Sequence, residues 1–587
     1  MKDLEIIRHS LSHIMAYAVK ELFPTTKFAI GPSIENGFYY DFDKEQHFTS
    51  EDLKHIQKKM EKLISGNLEF KREEISKDEA RELFKDQPYK LELIEDVEGD
   101  MVSIYTVGDF VDLCKGPHVD STKELVNIGF KLHKSCGAYW RGNEKNKMLS
   151  RIYAYAFTTK EELNEYIKAQ EEAQKRDHNK LGRELEIFST VDYIGQGLPI
   201  LLPRGTKLFK ILNRWVEDEE EVRGYIQTRT PLMAKSDLYK ISEHWYHYRE
   251  NMFILGDPDS DKEVLALRPM TCPFQFQAYL NKTRSYRDLP MRINETSTLF
   301  RNEDSGEMHG MIRVRQFTIS EGHLAVTPEQ LEEEFKGCLD LAVYMLKSVG
   351  LDGDVSYRFS KWDPNNKEKY MGDQAEWERV QDQMRIILND LGLNYVEAEG
   401  EAAFYGPKLD IQVKNVFGKE DTLITIQIDF QLAKKFEMLY TDKDGQKKYP
   451  YIIHRTSIGC YERTMALLIE KYAGAFPLWL SPEQIAIVPV SENNYEYAKE
   501  VKEKLTKKGF RVELDLSDLS MGKKVNNYRK IKVPYVLILG DNEQANKTVS
   551  VKTRTQKQIN DVAFDRFVEV CQEQVENKVV DKLVEEF

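Results

Sequence analysis

The sequence predicts an α+β protein of several domains that ends in an α/β domain. Three observations carry this. At 587 residues the chain exceeds what one hydrophobic core supports. Near its middle, residues 298–317 read as a strand, a polar loop and a returning strand. From Ser481 onward, apolar strands alternate with amphipathic helices as β-α-β-α-β, the pattern of a mainly parallel sheet covered by helices. The composition, 41% hydrophobic and 31% charged, fits a soluble globular protein, and no apolar run reaches membrane-spanning length. The N-terminus shows no signal-peptide pattern, which predicts a cytoplasmic address and no membrane partner. Six scattered cysteines argue against a disulfide framework and leave metal or catalytic roles open. A net charge of −14 speaks against indiscriminate nucleic-acid binding, but not against a folded RNA gripped by local basic patches.

Taken in order, residues 9–23 predict an amphipathic helix with Leu11, Ile14, Met15, Ala18 and Leu22 inward and Pro24 as its stop. His9 and His13 are four apart and share one face. Much later come Cys114 and His118, again four apart. Taken singly, each histidine is most simply a core or surface group; together the two pairs match zinc-ligand chemistry. Residues 160–188 are rich in Glu, Lys, Gln and Arg and predict a long exposed helix joining two domains. Residues 201–205 open a helix that runs through Trp215 to Val222 and closes at Gly224. Cys272 follows a strand. His323 falls on a further strand after the hairpin, and His454 near another strand end. Three such ligands leave a fourth position open, as in a zinc site that binds substrate. Residues 403–408 start a strand beside Tyr405, and residues 425–430 alternate, placing Gln427 and Asp429 on one face. The C-terminal part predicts strands at 485–490, 511–515 and 534–540, a helix over 495–508 closed by Gly509, and a basic surface from Lys523, Lys524, Arg529, Lys530, Lys532, Lys552 and Arg554.

The central stretch carries the sharpest chemistry. Arg301 and Glu303 follow an apolar approach, and Arg313 and Arg315 lie on the return. Arginine suits a polyanion because its fork binds two oxygens at once and stays charged. Glu303 is expected on the strand face of Arg301, where it accepts from an amine or orients that arginine. Alone, this hairpin is a solvated charged surface. It has company: residues 228–232 pass from helix to strand through Pro231, and Gly459 and Arg463 sit at a strand-to-helix junction. A proline-marked first motif, a Phe-Arg-x-Glu second at 300–303 and a Gly-x-x-Glu-Arg third at 459–463 resemble the three signatures of class II aminoacyl-tRNA synthetases. That resemblance implies a catalytic domain on an antiparallel sheet, an ATP clasp made by the second and third motifs with Mg2+ beside the phosphates, and a homodimer built on the first.

The His9/His13 and Cys114/His118 pairs, with residues 36–41 and 138–143, are similar to the editing domain shared by threonyl- and alanyl-tRNA synthetases, and fit the threonyl family closely. Over nearly the whole chain the resemblance implies an editing domain at 1–158, a linker helix at 159–188, a catalytic domain at 189–480 and an anticodon-binding domain at 481–587. It implies ATP-dependent attachment of L-threonine to tRNA(Thr), and hydrolysis of mischarged seryl-tRNA(Thr) by His9, His13, Cys114 and His118 with Lys90 and Asp112. In the editing domain the resemblance implies water and side chains rather than the metal that the ligand spacing also fits. One zinc per subunit is implied on Cys272, His323 and His454. Arg301, Glu303, Arg313, Gln427 and Arg463 are implied as catalytic, Glu321, Tyr405, Asp429 and Cys460 as substrate-binding, and Arg554 as an anticodon contact. The physical logic is coherent: an apolar pocket separates threonine from isosteric valine poorly, whereas a site demanding an oxygen rejects valine. Serine keeps the oxygen, so a second, hydrolytic site is needed. The sequence departs from the family pattern in starting at the editing domain without the small N-terminal ubiquitin-like domain. It departs also at Phe274 and Gln275, at Glu321 where an aspartate is usual, and at Cys460 where a small hydroxyl residue is usual. The competing reading is a paralogue that binds amino acid or RNA without charging, against which the intact arginines and ligand trio speak.

Overall fold

The computed structural model describes residues 3–259, 262–353 and 355–587. The chain divides into two compact units, Met1–Glu172 and Ala173–Phe587.

In the first unit the helix Leu4–Leu22 starts five residues earlier than predicted, because the Asp3 carboxylate accepts from Glu5 N and caps it. Leu11, Ile14, Met15 and Ala18 are buried as expected, whereas Leu22, in the last turn, is 39% exposed. The helix lies on an antiparallel sheet ordered Lys27–Phe28, Gly37–Asp43, Met148–Phe157, Gly129–Tyr139, with Ser33–Ile34 folded back on Gly37–Asp43. Phe38, Tyr40 and Phe42 alternate into the core beneath this helix and the helix Ser50–Ser65. A second antiparallel sheet, Phe70–Ser76, Met101–Val107 and Phe110–Leu113, delivers the chain to Cys114.

The long exposed helix predicted over 160–188 is not continuous. Lys160–Arg176 and His178–Glu184 are separate helices. Asp177 interrupts them: its Oδ1 accepts from Asn179 N at 2.8 Å and Lys180 N at 3.0 Å, restarting the helix. Nor is the second piece exposed all round, since His178 and Gly182 are buried, with His178 Nδ1 2.7 Å from a Glu470 oxygen.

The second unit is built on an eight-stranded sheet. Its order is Ile226–Gln227, Met291–Phe300, Gln316–Val326, Tyr451–Cys460, Glu420–Asp429, Lys408–Lys414, Val355–Lys361, Tyr395–Glu399. Only the two edge strands pair parallel; the rest is antiparallel. The helices Pro203–Val222, Leu331–Val349, Gln374–Asp390 and Tyr461–Tyr472 close the core against it.

Two sequence expectations change here. The return strand begins at Gln316, not Ile312. Residues 311–315 form a turn with a His309/Arg313 bridge, because Met311, Ile312 and Val314 are all buried and a turn accommodates three inward side chains better than a pleat. His323 and His454 lie inside their strands, directly opposite each other, rather than at strand ends. Gly322 is required beside them: a Cβ there would stand 2.6 Å from the guanidinium carbon of buried Arg455.

The C-terminal sheet is ordered Val512–Leu514, Ile485–Pro489, Tyr535–Leu539, Thr548–Thr553, Gln558–Ala563. The first three strands are parallel, as predicted, and the last two form an antiparallel extension. The predicted basic surface loses Lys524, which is buried with Nζ 3.2 Å from Asp515 O. Among the described residues no helix is long and apolar enough to cross a membrane.

Candidate active sites

The sheet register of the second unit gathers Cys272, His323 and His454, one donor atom from each lying within 4.8 Å of the others. Cys272 opens the helix Cys272–Leu280 just behind the strand Leu265–Leu267. The two imidazoles meet edge to face with ring centres 4.6 Å apart. All three side chains are buried.

A hydrogen-bond relay sets the imidazole tautomers. Thr228 Oγ1 donates to Asn294 O or a Glu295 oxygen, both at 3.2 Å, and accepts from Gln275 Nε2 at 2.8 Å. Gln275 Oε1 is thereby turned to His323 Nδ1 at 2.5 Å. Nδ1 carries the proton and Nε2 presents a lone pair. That Nε2 is buried without a hydrogen-bond partner among the described residues. His454 Nε2 lies 2.9 Å from Asp429 Oδ2, which leaves Nδ1 as its lone pair. Asp429 is itself held by Gln431 N and Leu432 N at 2.8 and 2.9 Å. Carboxylate or amide oxygens behind each histidine are the outer support that metal-binding imidazoles use. Burial first, then the charges of Glu321 and Asp429, hold the Cys272 thiol well above its ordinary range; a cation reverses that balance. One sulfur and two imidazoles with a buried orphan lone pair fit a zinc ion with a position left open.

A cavity of about 550 Å³ opens in front of Cys272 and His454, and Arg301, Arg313 and Arg463 line it. Arg301 stacks over Phe317 and Tyr248 at 5.1 and 5.9 Å, and its buried Nε has no partner among the described residues. A cation left unpaired in a cavity wall is a place for an anion. Arg463 is pinned by the carbonyls of Ile312 and Thr422 at 2.9 and 2.5 Å. Glu303 does not orient Arg301. The strand ends at Phe300 and the chain turns, so Glu303 instead takes Arg313 at 2.8 Å, while its carbonyl takes Arg315. Tyr405 donates to Gln427 at 2.6 Å and stacks on His454. Glu321 accepts from Thr271 N at 3.1 Å. Cys460 lines the same cavity, its Sγ donating to Glu462 at 3.3 Å; burial pushes its pKa far up, so the thiol stays protonated.

The first unit gathers a second constellation. Donor atoms of His9, His13, Cys114 and His118 also lie within 4.8 Å of one another. Cys114 Sγ is 3.3 Å from His9 Nε2 and 3.4 Å from His118 Nε2. Lys90 pairs with Asp112, which also accepts from Tyr40 at 2.7 Å and lies 3.7 Å from His13 Nε2. Burial, then the neighbouring imidazoles, holds His13 and His118 far below the ordinary histidine range; burial lowers His9 as well. Burial pushes the Cys114 thiol up to about 12. At neutral pH the site therefore presents neutral imidazoles and a protonated thiol, an arrangement for moving protons rather than for thiolate attack.

Arg554 does not point to open surface: it is half-buried, with Nη1 2.5 Å from Phe476 O. The parts played by Gln275 and Thr228 are not legible in the sequence, because they depend on how the helix Cys272–Leu280 packs beside the sheet. Nor does the sequence mark out Tyr40, inside the motif at 36–41, or Ser10, which bonds His118 Nδ1 at 3.1 Å.

With this geometry established, three family profiles match the chain. One described as "tRNA synthetase class II core domain (G, H, P, S and T)" covers residues 250–472. "Anticodon binding domain" covers 484–574, and "Threonyl and Alanyl tRNA synthetase second additional domain" covers 102–153. The chain is 59% identical over 566 residues to the threonine–tRNA ligase of Clostridium botulinum (strain Alaska E43 / Type E3), spanning 96% of this chain and 88% of that one. It is 46% identical over 576 residues to that of Geobacillus sp. (strain WCH70), spanning 97% and 89%. Among solved structures it is similar to the RNA binding domain of threonyl-tRNA synthetase from Cryptosporidium parvum Iowa II, at 32% identity and a TM-score of 0.63 over 68% of this chain and 98% of that one. The length and level of these matches, with two constellations in place and an unpaired arginine beside an open ligand trio, place the chain in the threonine–tRNA ligase family of class II aminoacyl-tRNA synthetases.

Proposed function

We propose that this chain activates L-threonine with ATP, transfers it to tRNA(Thr), and hydrolyses seryl-tRNA(Thr) formed in error. The observation that carries the reading is the orphaned lone pair of buried His323, shared with Cys272 and His454 beside a cavity that also holds the unpaired Arg301. Cys272, His323 and His454 would hold one zinc per chain, and the Lewis acid so bound would favour an amino acid that carries a side-chain oxygen and so discriminate against valine. ATP enters as its magnesium complex. Arg301 neutralises the α-phosphate region, Arg463 the phosphate tail, and Arg313, steered by Glu303, closes the clasp. In-line attack by the threonine carboxylate on the α-phosphate forms threonyl-adenylate and releases pyrophosphate; catalysis is positioning plus charge neutralisation. Gln427 and Tyr405, bonded to each other, orient the adenylate. Glu321 reaches toward the amino-acid side and Cys460 stands at the cavity wall.

In the first unit, a seryl ester presented to neutral His9, His13 and His118 meets bases able to take a proton from water, with Lys90 and Asp112 orienting the attack. Cys114 stays a thiol there and no metal is needed. The expected domain limits remain 1–158, 159–188, 189–480 and 481–587. A homodimer fits the exposed Val222, Ile226 and Met233 on the segment of the first motif, at 83%, 59% and 43% exposure. Arg554, half-buried with Nη1 on the Phe476 carbonyl, is the anticodon contact in this reading.

The test is ATP–pyrophosphate exchange with threonine, serine and valine on protein whose zinc is quantified in the same sample. Exchange with threonine, less with serine, none with valine and about one zinc per chain is the expected result. Zinc present without exchange would point to a paralogue that binds but does not charge.

A further inference from the structure

We propose that Glu321 is an exchangeable fourth ligand of the ion held by Cys272, His323 and His454: its carboxylate closes the coordination while no amino acid is bound and yields to the amino acid's donor atoms. This inference rests on the zinc reading above and goes beyond it by assigning the position opposite the trio.

Two acceptors face each other here. His323 Nε2 bears a lone pair, because Nδ1 carries the proton shared with Gln275 Oε1. Its neighbour at 3.6 Å is Glu321 Oε1. Two lone pairs brought together in a buried site repel unless a cation lies between them. The spacing is that of two ligands on one ion. Donors bound at about 2.0–2.1 Å to a tetrahedral metal stand about 3.3 Å apart.

Two further features fit an exchangeable ligand rather than a permanent one. Glu321 Oε2 is occupied by Thr271 N at 3.1 Å, directly before the ligand Cys272, so one oxygen anchors the carboxylate while the other is left for the ion. The tight trio within 4.8 Å does not include Glu321. Oε1 must therefore shift from its place 3.6 Å from His323 Nε2 toward the rest of the trio to bind, and a ligand that has to move in is readily displaced. An aspartate at this position, shorter by one carbon–carbon bond of about 1.5 Å, cannot keep the Thr271 anchor and also reach the ion. The strand places position 321 on the face of position 323, so the extra methylene alone separates a carboxylate that only greets substrate from one that also ligates metal.

The experiment uses the full chain loaded with zinc, or with cobalt(II) as a paramagnetic stand-in, and no amino acid. A crystal structure of the zinc protein is expected to show a Glu321 oxygen at about 2.0–2.2 Å from the ion, moving away when threonine is soaked in. Water-proton relaxation of the cobalt protein is expected to reveal no exchangeable ion-bound water in the wild type and one in Glu321→Gln. Metal-buffer competition is expected to show Glu321→Gln and Glu321→Asp holding zinc at least about tenfold more weakly. An ion-bound water in the wild type, with Glu321 resting only on Thr271, overturns the inference and leaves the zinc reading standing; so does unchanged zinc affinity in both variants. A wild-type chain that takes up no zinc overturns both. If the variants fail to fold, the two wild-type measurements decide alone.

Discussion

At the scale of single residues, function follows from which polar atoms the fold leaves unsatisfied. Arg301 Nε is buried without a partner among the described residues, and its stacking on Phe317 holds the charge toward the cavity. Removing it is expected to leave the anionic transition state uncompensated. Arg301→Ala should lower threonine-dependent ATP–pyrophosphate exchange by about 10²–10³-fold with zinc content unchanged, as steady-state exchange and metal analysis on one sample will show. Asp429 acts differently. It lies behind His454, its Oδ2 2.9 Å from Nε2, so Asp429→Asn, which keeps an acceptor for Gln431 N and Leu432 N, should cost about 10–100-fold in zinc affinity, read by metal-buffer competition. Arginine at 301 and 463 and the identity of the trio were legible in the sequence, because charge type and ligand type are properties of the residue. Gln275 was legible only as a departure from pattern; its part in setting the His323 tautomer needs Thr228, 47 positions away.

At the scale of elements, the site is held by buried ionic links between strands and helices. Arg455, fully buried in the strand Tyr451–Cys460, donates to Glu220 on the helix Pro203–Val222 at 2.7 Å and lies over Tyr225 at 4.0 Å. Loss of one partner strands the other charge in the core. Glu220→Ala is expected to destabilise the second unit by about 3–5 kcal/mol, measured by urea unfolding. Gly322→Ala presses a methyl on the same guanidinium and should cost about 1–3 kcal/mol; equal stability of wild type and variant would sink this account of the packing. Elements with a strong period were legible: the helix Pro203–Val222 begins at its proline and ends before Gly224, as read. Elements decided by context were not. Residues 312–315 alternate like a strand but turn, because His178 Nε2 receives Met311 N from a helix more than a hundred residues earlier. Asp177 broke the predicted helix by a capping preference that the surrounding charge pattern concealed.

At the scale of the whole molecule, two separate constellations carry two chemistries, so they should be separable by mutation and by pH. Lys90→Ala or His13→Ala is expected to raise seryl-tRNA(Thr) accumulation without changing ATP–pyrophosphate exchange; a parallel fall in exchange would refute the division. His9, His13 and His118 in the first unit have folded-state pKa values lowered by burial. Below about pH 6.5, the ordinary histidine value, the unfolded chain therefore binds more protons than the folded one, and stability falls with pH. Acid titration followed by limited proteolysis should show the first unit opening as pH drops below about 6, while alkaline pH up to about 8 leaves it intact. The chain by itself determined which chemistry is present, since arginine forks, imidazole pairs, a lone thiol after a strand and the three ordered motifs are written in residue type and local spacing. Only the tertiary structure decided which atoms do it. The facing of His323 and His454 depends on register between strands more than a hundred residues apart, their tautomers and the anchoring of Glu321 on contacts with Gln275, Asp429 and Thr271 that only the fold makes, and a one-residue slip in the pleated sheet would turn both imidazoles to the opposite face.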